Sequence, residues 1–181
     1  MLGVAAPAFY LEAHMIPDNE GAPGMTDQHQ RFMAEAIRLA EQNVADGGGP
    51  FGAVVVRDGR IIARGANRVT DSCDPTAHAE VVAIREACRL LDSFQLTDCT
   101  VYASCEPCPM CLGAIYWARP AAVYWAATRG DAAAAGFDDS HIYEQIALDP
   151  TQRSLPGSCL PHPDAARPFE AWRRHDGRTA Y

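Results

Sequence analysis

Residues 100–127, TVYASCEPCPMCLGAIYWARPAAVYWAA, decide the class of fold. Thr100 to Ser104 is short and rich in β-branched and aromatic side chains, which fit a pleated surface. Pro109 to Ala118 reads as a helix, because proline is pre-shaped for a first helical position. Ala121 to Ala127, with Val123, Tyr124 and Trp125, reads as a buried strand. A strand, a helix and a strand in so few residues point to an α/β protein.

The pattern continues upstream. From Asp27 to about Ala45, apolar residues fall at 32, 33, 36, 37, 40 and 44, which is helical spacing. Thr26 is placed to cap that helix, and Gly47-Gly48-Gly49-Pro50 ends it. Phe51–Val56 and Ile61–Ala66 read as strands joined at Asp58-Gly59, a strong hairpin signal. Asn67–Pro75 reads as a loop and Thr76–Leu91 as a helix. Downstream, Ser140–Leu148 reads as a helix. The prolines at 156, 161, 163 and 168 forbid regular structure from 154 to 168, and Phe169–His175 forms a last helical turn or two. Strands alternating with helices predict a mixed sheet covered on both faces. Residues 1–25, broken by Pro7, Pro17, Gly21, Pro23 and Gly24, read as a flexible extension ahead of one domain over 26–181.

A formal net charge of −8 makes a poor polynucleotide binder, since that affinity rests on Lys and Arg. A small-molecule partner is the better expectation. No apolar run is long enough to span a bilayer. The apolar start has no basic residue ahead of it, unlike a secretory leader. Seven Cys, an odd count with three inside 105–111, do not read as a disulfide framework. They read as metal ligands in a reducing cytoplasm.

Two segments carry the chemistry: Thr76-Ala77-His78-Ala79-Glu80 and Cys105-Glu106-Pro107-Cys108-Pro109-Met110-Cys111. Each opens a predicted helix, where the partial positive charge of the N-terminus favours thiolates. Cys108 and Cys111 are three apart and face one point. With His78 they give Zn²⁺ three protein ligands and a vacant fourth position, the mark of a catalytic site. Two thiolates cancel the formal charge of the metal, so a base beside the water is expected. Glu80 sits in the right turn for it.

His-x-Glu followed by Pro-Cys-x-x-Cys is the signature of the zinc nucleobase deaminases. From about Gln28 to Tyr181 the chain resembles the cytidine deaminase-like superfamily, and within it the small bacterial guanine deaminases. Gly48–Ala53, Asp74–Glu80, Ser104–Pro120 and Ala135–Asp139 carry the resemblance. It implies a three-layer α/β/α sandwich on a five-stranded mixed sheet. It further implies that His78, Cys108 and Cys111 hold one Zn²⁺ per chain, that Glu80 and Asp139 are catalytic, and that Cys105 is no ligand. Asn67 and Asp139 would hold a purine edge, Phe51 would stack on the ring, and Ala79, Trp117 and Tyr181 would complete the substrate site. The implied assembly is a homodimer able to exchange C-terminal segments, with the 154–181 tail over an active site.

Plainer readings stand beside these. Cys105 has the spacing to close a four-ligand structural site. Asn67 is also a good turn residue, Phe51 a good core residue, and Trp117 either core or pocket wall. Asp138 and Asp139 are good helix caps, and Tyr181 is a chain end that frays. The rival functions are a guanosine deaminase, a tRNA adenosine deaminase and a non-catalytic zinc-stabilised binding module.

Overall fold

The structure, a computed structural model, describes residues 23–181, with side chains from residue 27 onward. The extension read over residues 1–25 therefore lies outside the described residues up to Ala22. Helix α1 spans Pro23–Ala45 and is followed by β1 (Gly52–Arg57), β2 (Arg60–Ala66), a single turn α2 (Val69–Ser72) and α3 (Ala79–Leu91). Then come β3 (Cys99–Cys105), α4 (Pro109–Ala118), β4 (Ala122–Ala127), α5 (Arg129–Ala134), α6 (Ser140–Ala147) and α7 (Arg167–Arg174), with a short 3₁₀ turn at Pro150–Gln152. Because α1 starts at Pro23, Thr26 lies inside the helix rather than capping it.

The strands run in the order β2-β1-β3-β4. The β1–β2 hairpin turns on Asp58 and Gly59, both at positive φ (51° and 69°). That is the backbone a two-residue hairpin loop needs to match strand twist. β1 pairs antiparallel with β3, and β3 pairs parallel with β4 across α4, so the sheet is mixed.

Alternation along β1 builds the layers. Ala53 and Val55 face a core closed by Ala83, Ile84 and Ala87 of α3 and by Ile115 and Ala118 of α4. Val54 and Val56 face Phe32, Met33 and Leu39 of α1 on the other side. The result is the expected three-layer sandwich. Gly65 lets α3 lie against β2: a side-chain carbon there would collide with the Ala79 carbonyl. This contact seats the N-terminus of α3, which carries the chemistry.

A second expectation needs correction. The described residues form four strands, not five. After β4 the chain meets Thr128, whose side chain accepts from Asp131 while Asp131 reaches back, a capping box that starts a helix instead. Farther on, the prolines of 156–168 deny a strand its ladder donors.

One ion-pair cluster ties α1 to the sheet edge. Glu35 accepts from Arg38 Nε at 2.8 Å and from Arg64 Nε on β2 at 2.8 Å. These two guanidiniums, Arg38 foremost, hold its carboxyl down to about 2. Both arginines are half-exposed, so the pair is screened by solvent. Glu35→Gln is expected to cost about 1 kcal/mol at neutral pH in urea unfolding. A depressed folded pKa gives stability that is present above the ordinary carboxylate value of 4.5 and lost as pH falls through about 2. The stability difference between wild type and variant should therefore shrink steadily over that window. A difference independent of pH would show that the charge contributes nothing.

Candidate active site

Two helix N-termini converge at the centre of the site. His78 is the N-cap of α3, and Glu80 lies in its first turn. Cys108 is the N-cap of α4, Pro109 opens it, and Cys111 follows in its first turn. The sulfurs of Cys108 and Cys111 each stand 3.5 Å from His78 Nδ1. Across all three residues the ligand atoms lie within 4.8 Å of one another. One imidazole nitrogen and two sulfurs at this range suit zinc. Cys105, the alternative fourth ligand, stays outside the cluster and turns its thiol to the Thr128 carbonyl at 3.5 Å.

The electrostatics agree with a thiolate-bearing site. Cys108 is pulled down to about 4, first by the Cys111 thiol beside it and also by His78. Cys111 is pushed the opposite way as the partner that keeps its proton, and burial adds to this. His78 is raised, chiefly by its hydrogen bond with Cys108. Glu80 is only 7% exposed. Burial raises its carboxyl above the ordinary range, the direction that suits a group exchanging protons near neutrality.

A cavity of about 570 Å³ opens beside the cluster, within the size range of small-molecule sites. His78, Cys108 and Glu80 form one wall, and Phe51, Asn67 and Asp139 line others. Phe51 meets Phe137 edge-to-face, with centroids 5.0 Å apart. Asn67 also serves its turn, because its Oδ1 accepts from Val69 N at 3.2 Å. The two aspartates divide the work. Asp138 accepts from Ser140 N at 2.9 Å and from the Ser140 hydroxyl, whereas Asp139 makes no capping bond. Burial, with the nearby Cys108 thiolate, raises Asp139.

Three further candidates have other surroundings. Ala79 is buried under β2 at the head of α3. Trp117 and Tyr181 are exposed and meet each other with ring centroids 6.1 Å apart, near Phe94 and Trp172. None of the three lines the cavity. Glu106 and Arg129 do, and sequence reasoning missed them. Glu106 accepts from Arg129 N at 3.1 Å, and the Arg129 guanidinium lies 4.9 Å over the Tyr143 ring. The Thr128-x-x-Asp131 capping box that opens α5 was the available signal for Arg129.

Comparison with known proteins points one way. Residues 26–127 match the family model described as the cytidine and deoxycytidylate deaminase zinc-binding region. The guanine deaminase of Bacillus subtilis is 55% identical over 154 residues, covering 84% of this chain and 99% of that protein. Its X-ray structure superposes with a TM-score of 0.83 over 84% of this chain and 98% of that one. A tRNA-specific adenosine deaminase of Aquifex aeolicus is 43% identical over 88 residues, but this covers only 49% of this chain and 58% of that protein.

Proposed function

The chain belongs to the cytidine and deoxycytidylate deaminase zinc-binding family, and from that premise we propose that it is a hydrolytic deaminase whose substrate is guanine, giving xanthine and ammonia. One observation carries this reading: the His78–Cys108–Cys111 donor cluster opens on a cavity walled by Glu80, Asn67, Phe51 and Asp139. The choice of base draws on the guanine deaminase likeness, which continues past the shared zinc region over most of the chain. The tRNA deaminase likeness covers about half of it. The net charge of −8 also disfavours a folded RNA.

His78, Cys108 and Cys111 would hold zinc, which when bound acts as a Lewis acid that makes water easier to deprotonate. Glu80 takes the proton of the attacking water. It is buried beside the cluster, so its raised pKa matches that task. Attack falls on the ring carbon that bears the exocyclic amine. Glu80 passes that proton to the neighbouring ring nitrogen, then takes the remaining proton of the added hydroxyl as the carbonyl forms and the C–N bond breaks, and passes it to the departing ammonia. Phe51 stacks on the base, and Phe137 holds its ring in place. Asn67 reads the purine edge as donor and acceptor. Asp139, spared from capping by Asp138, contacts the purine and assists proton transfer. Ala79, packed against Gly65, serves the substrate site by seating His78 and Glu80 on either side of it at the head of α3.

We place the enzyme in the cytoplasm, to which its free thiols are suited. No helix among the described residues is long and apolar enough to cross a membrane. Trp117 and Tyr181, exposed together, fit a homodimer in which C-terminal segments exchange and an aromatic chain end closes a neighbouring cavity.

An ammonia-release panel over guanine, guanosine, adenine, cytosine and cytidine tests the substrate. Guanine should lead by about a hundredfold or more in kcat/KM. Preference for cytosine, cytidine or adenine would reject guanine. Equal turnover of guanosine would move the reading to the nucleoside.

A further inference from the structure

We propose that Asn43, on α1, is a positioning residue for the base-binding wall. Its side-chain amide pins the glycine loop to Asn67 and thereby sets where Phe51 and Asn67 stand. The proposal rests on the deaminase reading above and deepens it.

Helix α1 ends in a Schellman turn. Gly47 adopts φ 89°, Gly47 N donates to Val44 O at 3.0 Å, and Gly48 N donates to Asn43 O at 2.7 Å. The turn swings the chain back over the Asn43 side chain. Asn43 Nδ2 then donates to two backbone carbonyls, Gly49 O at 2.7 Å and Asn67 O at 2.8 Å. Only the nitrogen end of an amide can serve two carbonyls, so the side chain has one possible orientation.

The circuit closes through the cavity wall. Gly49 O also accepts from Phe51 N at 2.8 Å, and Asn67 N donates to Phe51 O at 3.1 Å. Asn43, Gly49, Phe51 and Asn67 thus form a ring of hydrogen bonds in which each member fixes the next. Phe51 and Asn67 line the cavity, whereas Asn43 does not, so Asn43 acts through them. The glycines are part of the device. A side-chain carbon at Gly48 would collide with the Asn43 amide, and one at Gly49 would lie 3.3 Å from the Asn67 side chain.

Without the clamp, the helix terminus and the strand end lose their tie, and the base-binding side chains shift relative to the metal cluster. A base whose hydrogen-bond partner is displaced leaves a buried polar group badly paired, which weakens binding by about ten- to a hundredfold. The cluster and Glu80 sit on α3 and α4, which Asn43 does not touch. Loss of the clamp should therefore weaken binding of the base more than the chemical step.

The test uses the zinc-loaded full chain with Asn43→Ala and Asn43→Asp. The aspartate keeps the shape but turns acceptors toward both carbonyls. KM for guanine should rise about ten- to a hundredfold in Asn43→Asp and less in Asn43→Ala, with kcat within about threefold of wild type. Zinc content should be unchanged. Hydrogen exchange at the Phe51 and Asn67 amides should quicken by about tenfold or more. A lower melting temperature with KM unchanged would make Asn43 merely structural and overturn the proposal; so would a loss confined to kcat. Wild type that releases no ammonia from guanine would reject the substrate reading instead. The clamp would then be upheld by faster exchange at Phe51 and Asn67 in the variants and overturned by unchanged exchange.

Discussion

Glu80→Gln is expected to retain zinc, near one per chain, and to lose about ten-thousandfold in ammonia release, the upper end of what one acid–base group supplies. The substitution keeps shape and burial and removes only the ability to carry a proton. Glu80 is asked to move protons at more than one step, so its loss is not repaired by solvent in a site where it is 7% exposed. The fold should not suffer. Burial raises the carboxyl, which means that holding it charged costs stability. The amide removes that cost and leaves Cys111, now its hydrogen-bond neighbour, in place. Metal analysis and ammonia release on the same samples decide the matter. A variant within tenfold of wild type would remove Glu80 from the mechanism.

The ease of reading Glu80 from sequence has a local cause. His78 and Glu80 share one helical turn, as do Cys108 and Cys111, so spacing alone carries their geometry. The Asp58-Gly59 hairpin and the limits of α4 are legible for the same reason, since each is set by a few adjacent residues. Legibility fails where tertiary context decides. Nothing in Asp138-Asp139 says which side chain will cap α6; the structure gives that task to Asp138. Asn43 looks like any polar residue on an exposed helix face until Gly48 folds back over it. Trp117 and Tyr181 lie 64 positions apart, and their meeting depends on how the tail docks. The fifth strand that the described residues lack is different in kind. The expectation came from resemblance, while the prolines after 154 already argued against a strand there. Helix α5 was legible through Thr128 and Asp131, and the signal was overlooked.

Removal of zinc should abolish activity without unfolding the chain, and this result separates a catalytic metal from a structural one. The largest fully buried side chains among the described residues include Val54, Val55 and Val101 of the sheet and Leu96 of the connection that leads into β3. They bury their surface without any ligand. The metal cluster instead ties two helix N-termini, α3 and α4, at one end of that core. A ligand that binds only the folded chain stabilises it by about 4 kcal/mol at a thousand times its Kd. In a domain of this size that corresponds to a fall of about 8–16 °C in melting temperature on chelation. The far-ultraviolet spectrum should be retained and unfolding should stay cooperative. Zinc added back should restore both activity and melting temperature, whereas Cys111→Ala should resist rescue because one of the three donors is gone. In a zinc knuckle the metal supplies about 10–16 kcal/mol and the apo chain does not fold. Collapse of the helical signal on chelation would therefore mean that the cluster exists to hold the fold, and full activity in the metal-free chain would mean that it has no part in the reaction.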